Sequence, residues 1–190
     1  MYTLGNEVMN SLESWKAAPC ILAYARDLKL DFPNATLMYT MQHDGIGAAV
    51  SPSEAARLTM EYMSECPEAS IDALGINIES WCSSTQTFDL NPDGSLGTYK
   101  DLYQHLNESK IALLFSELGC SRTLFNRDNG LERFNRDWKQ VHTILGPDMI
   151  DLWSGFVAYA YDGPEDFRMS IGAPWDGKNV MERKFILQWC

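Results

Sequence analysis

The sequence lacks the features of several large functional classes. Its 15 Lys and Arg residues are scattered and the formal net charge is -11, so no basic patch is available for nucleic acid or an anionic membrane surface. No stretch approaches the roughly 20 consecutive apolar residues of a membrane span. A Gly-rich phosphate loop, a GxSxG elbow and an HExxH motif are also absent. We therefore expect a neutral or cationic partner.

The five cysteines and three histidines do not form a metal-binding pattern. No CxxC is present and no histidine stands at metal-ligand spacing from a cysteine, so we expect no metal. The cysteines and two glycosylation sequons, Asn34-Ala35-Thr36 and Asn107-Glu108-Ser109, indicate a protein made for an oxidising, extracellular environment. Because Met1 is not followed by a basic and then apolar signal region, we expect that a leader has been lost.

The chain is long enough for one domain, residues 1–190, and its 45% apolar content predicts a folded core. Five strand patterns alternate with four helix patterns, which is the rhythm of repeated βα units in a parallel sheet. The predicted strands are 2–8, 35–41, 72–79, 110–117 and 151–161. A closed (β/α)₈ barrel needs about 250 residues, so the expected fold is α/β, a partial (β/α)₈ barrel.

Two of the predicted helices have clear sequence signals. Ser51-Pro52-Ser53-Glu54 has the spacing of a capping box with Pro at the first helical position, and it opens a helix in which Tyr62 is expected to face inward. Between Leu131 and Leu145, apolar residues repeat at three- and four-residue steps until Gly146-Pro147. This second pattern predicts a helix over residues 131–145.

The segment Leu113–Cys120 carries the most informative carboxylate. An apolar run leads up to Glu117 as in a strand buried on both faces, and Gly119 stops the strand just beyond it. We expect Glu117 at the carboxyl end of an interior strand. A carboxylate there is either paired in a salt bridge or used in chemistry, because an unpaired charge near a core costs several kcal/mol.

A second carboxylate, Glu7, follows Asn6 at the end of the first predicted strand. In a barrel the reactive groups lie where strands end, so Glu7 and Glu117 are expected to face each other. Two such carboxylates suit glycosidic bond chemistry, and a separation of about 5 to 5.5 Å gives net retention. Asn6 then holds the sugar 2-hydroxyl. The alternative interpretation of Asn-Glu is a helix cap followed by a first-turn acid.

Aromatic residues are frequent at the same strand ends. Trp81, Trp153, Tyr159 and Tyr161 either stack on sugar rings or belong to the core. We favour the core for Trp153, which begins its strand, and the site for Tyr159, which lies close to the carboxyl end of the same strand.

Several short motifs occur in a fixed order along the chain. They are Gly5-Asn6-Glu7-Val8, Ala17-Ala18-Pro19, residues 25–29, Gly75-Ile76-Asn77, Trp81-Cys82, residues 115–120 and residues 153–161. Together, over about residues 1 to 165, they resemble glycoside hydrolase family 72, the secreted β-1,3-glucanosyltransferases that elongate cell-wall glucan.

The resemblance implies a retaining (β/α)₈ barrel in which Glu7 is the acid/base and Glu117 is the nucleophile. It also implies that Asn6 and Tyr159 contact the glucan, as does Arg57 through a looser match around Ser53-Glu54. No cofactor is required.

The resemblance further implies a disulfide between Cys82 and Cys120 beside the nucleophile. By the same resemblance, Cys66 would pair with a cysteine near the end of the domain, Cys190, and Cys20 would be free.

Three departures from the family pattern stand out. Glu79 replaces the family's tyrosine beside the nucleophile, where a carboxylate would raise the pKa of Glu117 by like-charge repulsion. The acidic pair expected before Ser53 is Ser51-Pro52. Finally, Glu7 belongs on the fourth barrel strand, so the chain would hold strands four to eight of the catalytic barrel, without the first three βα units, the signal peptide or any GPI lipid anchor.

The leading functional hypothesis is a retaining β-1,3-glucan transglycosylase, secreted or held at the cell surface or cell wall, whose partner is the glucan itself. The first alternative is a retaining β-glucan hydrolase of the same clan, because nothing in the sequence specifies water or sugar as the acceptor. The second is a protein that is not an enzyme: a glucan-binding relative or a fragment.

Overall fold

In a computed structural model of the protein, the structure describes residues 1–43, 50–78, 80–81, 85–119, 121–125, 132–136 and 138–158, with the backbone alone for 121–125 and 132–136. The strands in this part are β1 Tyr2–Asn6, β2 Leu37–Gln42, β3 Ala73–Ile78, β4 Ala112–Leu118, β5 Ser121–Phe125, β6 Glu132–Arg136 and β7 Trp153–Ala158. The helices are α1 Ala18–Asp31, α2 Pro52–Ser64, α3 Thr98–Leu106 and α4 Lys139–Ile144, with a 3₁₀ turn at Ser14–Ala17.

Five of these strands form one parallel sheet in the order β1-β2-β3-β4-β7, and a helix lies between each strand and the next. Right-handed crossovers that always advance in one direction place every helix on the same face of the sheet. A single apolar core accordingly joins residues of all four helices to alternate residues of the strands. The predicted α/β class with repeated βα units is confirmed, and the five predicted strands correspond to these five.

The two faces of β4 differ in their burial, whereas β3 is buried on both faces. On β4, Leu113, Phe115 and Leu118 are buried in the core beneath the helices, whereas Ser116 and Glu117 are only half-buried. The prediction that this strand is buried on both faces is therefore wrong, because Leu114, Ser116 and Glu117, outside the helix-side core, stay half-buried. β4 is an interior strand as expected, since it lies between β3 and β7.

The prediction of a helix over residues 131–145 is also wrong for the first half of that range. Glu132–Arg136 forms a strand, β6, which pairs antiparallel with Ser121–Phe125 of β5. Helix α4 begins only at Lys139. Pairing across the hairpin gives the backbone of residues 132–136 its hydrogen bonds, which overrides the helical spacing of the apolar residues.

Helix α2 begins where its sequence predicts. Ser51 Oγ accepts a hydrogen bond of 3.2 Å from Glu54 N, and Pro52 occupies the first helical position. Only this half of the capping box forms, because the Glu54 carboxylate instead accepts from the Arg57 guanidinium. Tyr62, expected to face inward, is 39% exposed and packs beside Trp15 at the edge of the core.

Four aromatic rings run through the core in sequence. Trp81 packs against Tyr99, Tyr99 meets Phe115 edge to face, and Phe115 stacks on Trp153 with ring centroids 3.8 Å apart. Trp153 is therefore a core residue, as favoured, and Trp81 is also buried in the core rather than open to a ligand. Burial raises the pKa of the Tyr99 hydroxyl far above its ordinary value.

None of the helices in the described part of the chain is both long enough and apolar enough to cross a membrane.

The Ser51 cap gives a direct test of the α2 boundary. Replacing Ser51 with Ala removes the acceptor for Glu54 N, and we expect the free energy of unfolding to fall by about 1 kcal/mol in urea titrations. Ser51→Thr keeps a hydroxyl acceptor at the same place and serves as the matched control, with a much smaller loss. Equal losses in the two variants would contradict the assignment of the cap.

Candidate active site

The two strands that end at the predicted catalytic glutamates share an irregularity. From Thr3 to Asn6, β1 advances three residues while its partner β2 advances two. In the same way, β4 advances three residues up to Glu117 while β3 advances two. An extra residue of this kind is a β-bulge, a feature that re-aims side chains and is frequent next to active sites.

The bulge in β4 decides where Glu117 lies. Phe115 and Leu118 both belong to the helix-side core although they are three residues apart, so the bulge falls between them. Glu117 pairs in register with Asn77, and residues paired in register on neighbouring strands point to the same face. Ser116 hydrogen-bonds to Asn77. Ser116 and Glu117 thus both lie on the face of the sheet opposite the helices.

Glu7 lies just beyond the end of β1 in an unusual backbone conformation. Its φ is 54°, in the left-handed region that costs a residue with a side chain on the order of 1 to 2 kcal/mol. Two hydrogen bonds hold the chain there: Glu7 N donates to the Thr40 carbonyl at 2.9 Å, and Met9 N donates to the Tyr39 hydroxyl at 2.9 Å. Strain of this kind is concentrated at functional sites.

The side chain of Asn77, at the carboxyl end of β3, connects residues of the site that come from different strands. Its Nδ2 donates to Glu7 Oε1 at 2.7 Å and to Asn6 Oδ1 at 3.1 Å, and its Oδ1 accepts from Ser116 Oγ at 2.7 Å. Asn77 itself is 6% exposed. We call Asn6, Glu7, Asn77 and Ser116 the Asn77 cluster. It joins β1, β3 and β4 at their carboxyl edge, next to Glu117.

Tyr39 supports this cluster from β2. The Tyr39 hydroxyl is buried, and this burial raises the pKa of Tyr39. Hydrogen bonds from the backbone of Met9 and Val8 lower that pKa in part, and the charge of Glu7 raises it further. The hydroxyl therefore stays protonated near neutral pH and acts as a fixed anchor for the segment that follows Glu7.

Arg57 does not join the Asn77 cluster. It lies on α2 and its guanidinium bonds the carboxylates of Glu54 and Glu61, at the side of a groove of about 920 Å³ between α2 and α3. These two carboxylates raise the pKa of Arg57 well above its usual value. A contact between Arg57 and glucan stays a prediction.

Several predicted site residues lie outside the described residues, namely Tyr159, Glu79, Cys82, Cys120 and Cys190. Within the described part, Cys20 and Cys66 are exposed, and no disulfide joins them to each other. The pairing of Cys66 with Cys190 stays a prediction, since Cys190 is not among the described residues.

The described residues contain no group of three or more His, Cys, Asp or Glu side chains placed to hold a metal ion. The chemistry that the described edge supports is that of two carboxylates, an amide pair and a hydroxyl.

Asn77 and Ser116 were not identified from the sequence as site residues. The available signal was a polar Asn at the end of the apolar run of β3, where parallel strands place their functional groups. Ser116 gave no comparable signal, because its role depends on the bulge that turns it toward Asn77.

The geometry defines an α/β protein with an acidic site at the carboxyl edge of a parallel sheet, the edge at which α/β enzymes work. The family profile Glyco_hydro_72, described as Glucanosyltransferase, matches residues 1–168, and the chain belongs to this family.

Curated relatives agree with the family. The chain is 25% identical over 162 residues to the 1,3-beta-glucanosyltransferase gas1 of Schizosaccharomyces pombe, covering 84% of this chain and 26% of that protein. It is 28% identical over 159 residues to Protein EPD1 of Candida maltosa, covering 83% and 25%. It is 24% identical over 184 residues to gas4 of Schizosaccharomyces pombe, a second 1,3-beta-glucanosyltransferase, covering 96% and 37%. The chain therefore spans about a quarter to a third of the length of these relatives.

Gly75 provides a test of the packing behind the site. A Cβ at this position would lie 2.6 Å from Ser116 Oγ and 2.8 Å from Ser116 Cβ, so Gly75→Ala must displace Ser116 from Asn77. We expect a loss of about 1 to 3 kcal/mol in the free energy of unfolding. The double variant Gly75→Ala/Ser116→Gly removes the clash and should be more stable than Gly75→Ala. A Gly75→Ala protein as stable as the wild type would contradict this packing.

Proposed function

We propose that this protein is a retaining β-1,3-glucan transglycosylase in which Glu7 is the acid/base and Glu117 is the nucleophile. The observation that carries the proposal is that β1 and β4 both have their carboxyl ends, where Glu7 and Glu117 lie, at one edge of the sheet. Glu7 accepts a hydrogen bond from Asn77, and Asn77 pairs in register with Glu117. Membership of the glucanosyltransferase family supplies the substrate class.

In the first step, a Glu117 carboxylate oxygen attacks the anomeric carbon of a glucosyl unit while Glu7 gives its proton to the glycosidic oxygen. The bond between the anomeric carbon and that oxygen breaks, and the reducing-end fragment leaves. In the second step, ionised Glu7 takes the proton of an acceptor hydroxyl, whose oxygen displaces Glu117 from the anomeric carbon. Two inversions at one carbon give net retention.

Asn6 is the proposed contact for the sugar 2-hydroxyl. Because the Asn6 carbonyl oxygen accepts from Asn77, the amide NH₂ of Asn6 is the group left to donate to a ligand. On the family resemblance alone, we propose Tyr159 and Arg57 as further glucan contacts. The disulfide between Cys82 and Cys120 is proposed on the same ground.

We also propose that residues 1–190 form the carboxyl-terminal part of a (β/α)₈ catalytic barrel, strands four to eight. Three observations support this: the strands follow one another in the sheet in chain order, the described helices share one core on one face, and the bulged strand ends carry the acidic residues. A sheet wound in this single direction favours the wall of a barrel over a doubly wound sheet, which carries helices on both faces.

The choice between transfer and hydrolysis depends on the acceptor. Several similar proteins are named 1,3-beta-glucanosyltransferases, and this favours a sugar acceptor over water. A retaining β-glucan hydrolase would use the same two carboxylates and differs only in releasing shorter products.

Incubation of the full polypeptide with laminarin oligosaccharides of one length tests the proposal. We expect products longer than the substrate, separated by chromatography and identified by mass, and Glu117→Gln should lower their rate of formation roughly 10³-fold or more. Glu13→Gln, a change at an exposed carboxylate outside the cluster, is the control and should leave the rate unchanged. Shorter products alone would establish hydrolysis, and a loss of less than tenfold for Glu117→Gln would mean that another residue is the nucleophile.

We further propose that the protein is a glycoprotein of the secretory pathway that works at the cell surface or cell wall. Asn34 and Asn107 of the two sequons are both exposed. Each precedes a strand, β2 or β4, and therefore lies at the amino edge of the sheet, away from the Asn77 cluster. Glycans at these positions leave the site open.

Expression in a eukaryotic secretory host tests this proposal. We expect endoglycosidase treatment to increase the gel mobility of the protein. Because each asparagine carries one N-linked glycan, half of this shift should remain in Asn34→Gln or Asn107→Gln, and none should remain in the double variant. Asn10→Gln changes an exposed asparagine without a sequon and should leave the shift intact. Absence of any shift in the secreted wild-type protein would contradict the proposal.

A further inference from the structure

We infer that Asn77 is the positioning residue of the site, the group that fixes Glu7 and Asn6 relative to the strand that carries Glu117. This inference rests on the proposed function, in which Glu7 and Glu117 act on the same sugar. It concerns a residue that touches neither the anomeric carbon nor the leaving oxygen and acts through its neighbours.

The amide of Asn77 has little freedom to take another orientation. Both hydrogens of its Nδ2 are used, one on Glu7 Oε1 and one on Asn6 Oδ1, and its Oδ1 accepts from Ser116 Oγ. Because Asn77 is only 6% exposed, water has little access to replace these partners. Rotating the amide by half a turn would place its oxygen against two acceptors, which costs more than the lost hydrogen bonds alone.

The two glutamates belong to strands that are not neighbours, because β2 and β3 separate β1 from β4. Backbone pairing alone therefore does not tie the Glu7 side chain to β4. The Asn77 side chain provides the connection: it reaches Glu7 in one direction and Ser116, the residue before Glu117, in the other. Catalysis of this kind is sensitive to position, and a displacement of about 1 Å costs about 10²-fold in rate.

The chemistry of the position requires a neutral donor. An amide donates to the carboxylate of Glu7 and to the carbonyl oxygen of Asn6 while accepting from a hydroxyl. A carboxylate of the same shape could accept from Ser116 but would have no hydrogen for Glu7 at neutral pH, and it would place a second negative charge beside it. Asn77→Asp is therefore the most informative substitution, because it keeps the shape and removes the donors.

The kinetic experiment compares Asn77→Ala, Asn77→Asp and Ser116→Ala in the full polypeptide with laminarin oligosaccharides as substrate. We expect kcat to fall about 10- to 100-fold for both Asn77 variants with KM changed less than about threefold, and a smaller loss for Ser116→Ala. In Asn77→Asp the alkaline limb of the pH–rate profile should move to higher pH, because two facing carboxylates hold a proton more tightly than one.

The matched control is Thr59→Val, which removes a polar group from an equally buried residue on α2, in the helix layer. It should lower the melting temperature without changing kcat or the pH profile. If the Asn77 variants keep kcat within about threefold of the wild type, or lose it only in proportion to unfolding, Asn77 is a structural residue and the inference is overturned.

A second measurement does not depend on catalysis. In nuclear magnetic resonance spectra, the side-chain amide signals of Asn77, assigned by their disappearance in Asn77→Asp, should shift with pH as the accepting carboxylate titrates. The shift should vanish in Glu7→Gln and persist in Glu13→Gln. Signals that do not titrate, or titrate equally in Glu7→Gln, overturn the inference. A wild-type protein that titrates as expected yet makes no glucan product would instead overturn the proposed function alone.

Discussion

The burial of one face of the parallel sheet beneath four helices is the constraint on which the rest of the described structure depends. Tyr39, Ile76, Phe115 and Trp153 come from four different strands and share one core with residues of every described helix. Because each crossover returns the chain to the next strand in the same direction, the carboxyl ends of all five parallel strands meet at one edge. Residues far apart in sequence, such as Glu7 and Glu117, reach the same edge for this reason alone.

The helix-covered face also determines what the other face does. Apolar side chains must continue to point toward the helices along β4, yet Phe115 and Leu118 are three residues apart. The strand meets both requirements with a bulge, and the two residues in between, Ser116 and Glu117, turn to the opposite face. A packing requirement on one side of the sheet thus places a hydroxyl and a carboxylate together on the other. β1 carries a similar irregularity immediately before Glu7.

Much of the fold was predictable because the signals were local. Strand segments and the start of α2 follow from apolar runs and from Ser51-Pro52, which act through neighbours in sequence. The failures have a common cause in contacts between distant residues. The hairpin of β5 and β6 replaced a predicted helix because residues 132–136 found partners on another strand. The half-buried state of Glu117 depended on the bulge in β4, and the local pattern carries no information on that bulge.

The sequence by itself determined the class of fold, the positions of the two glutamates at strand ends and, through the order of its motifs, the family. Those features are properties of single segments and of their succession along the chain. Only the tertiary structure decided that Asn77 bonds Asn6, Glu7 and Ser116 and that Trp81 belongs to the core. The physical reason is that a hydrogen bond acts over about 3 Å, and which groups come that close depends on register and bulges set by the packing of the whole sheet.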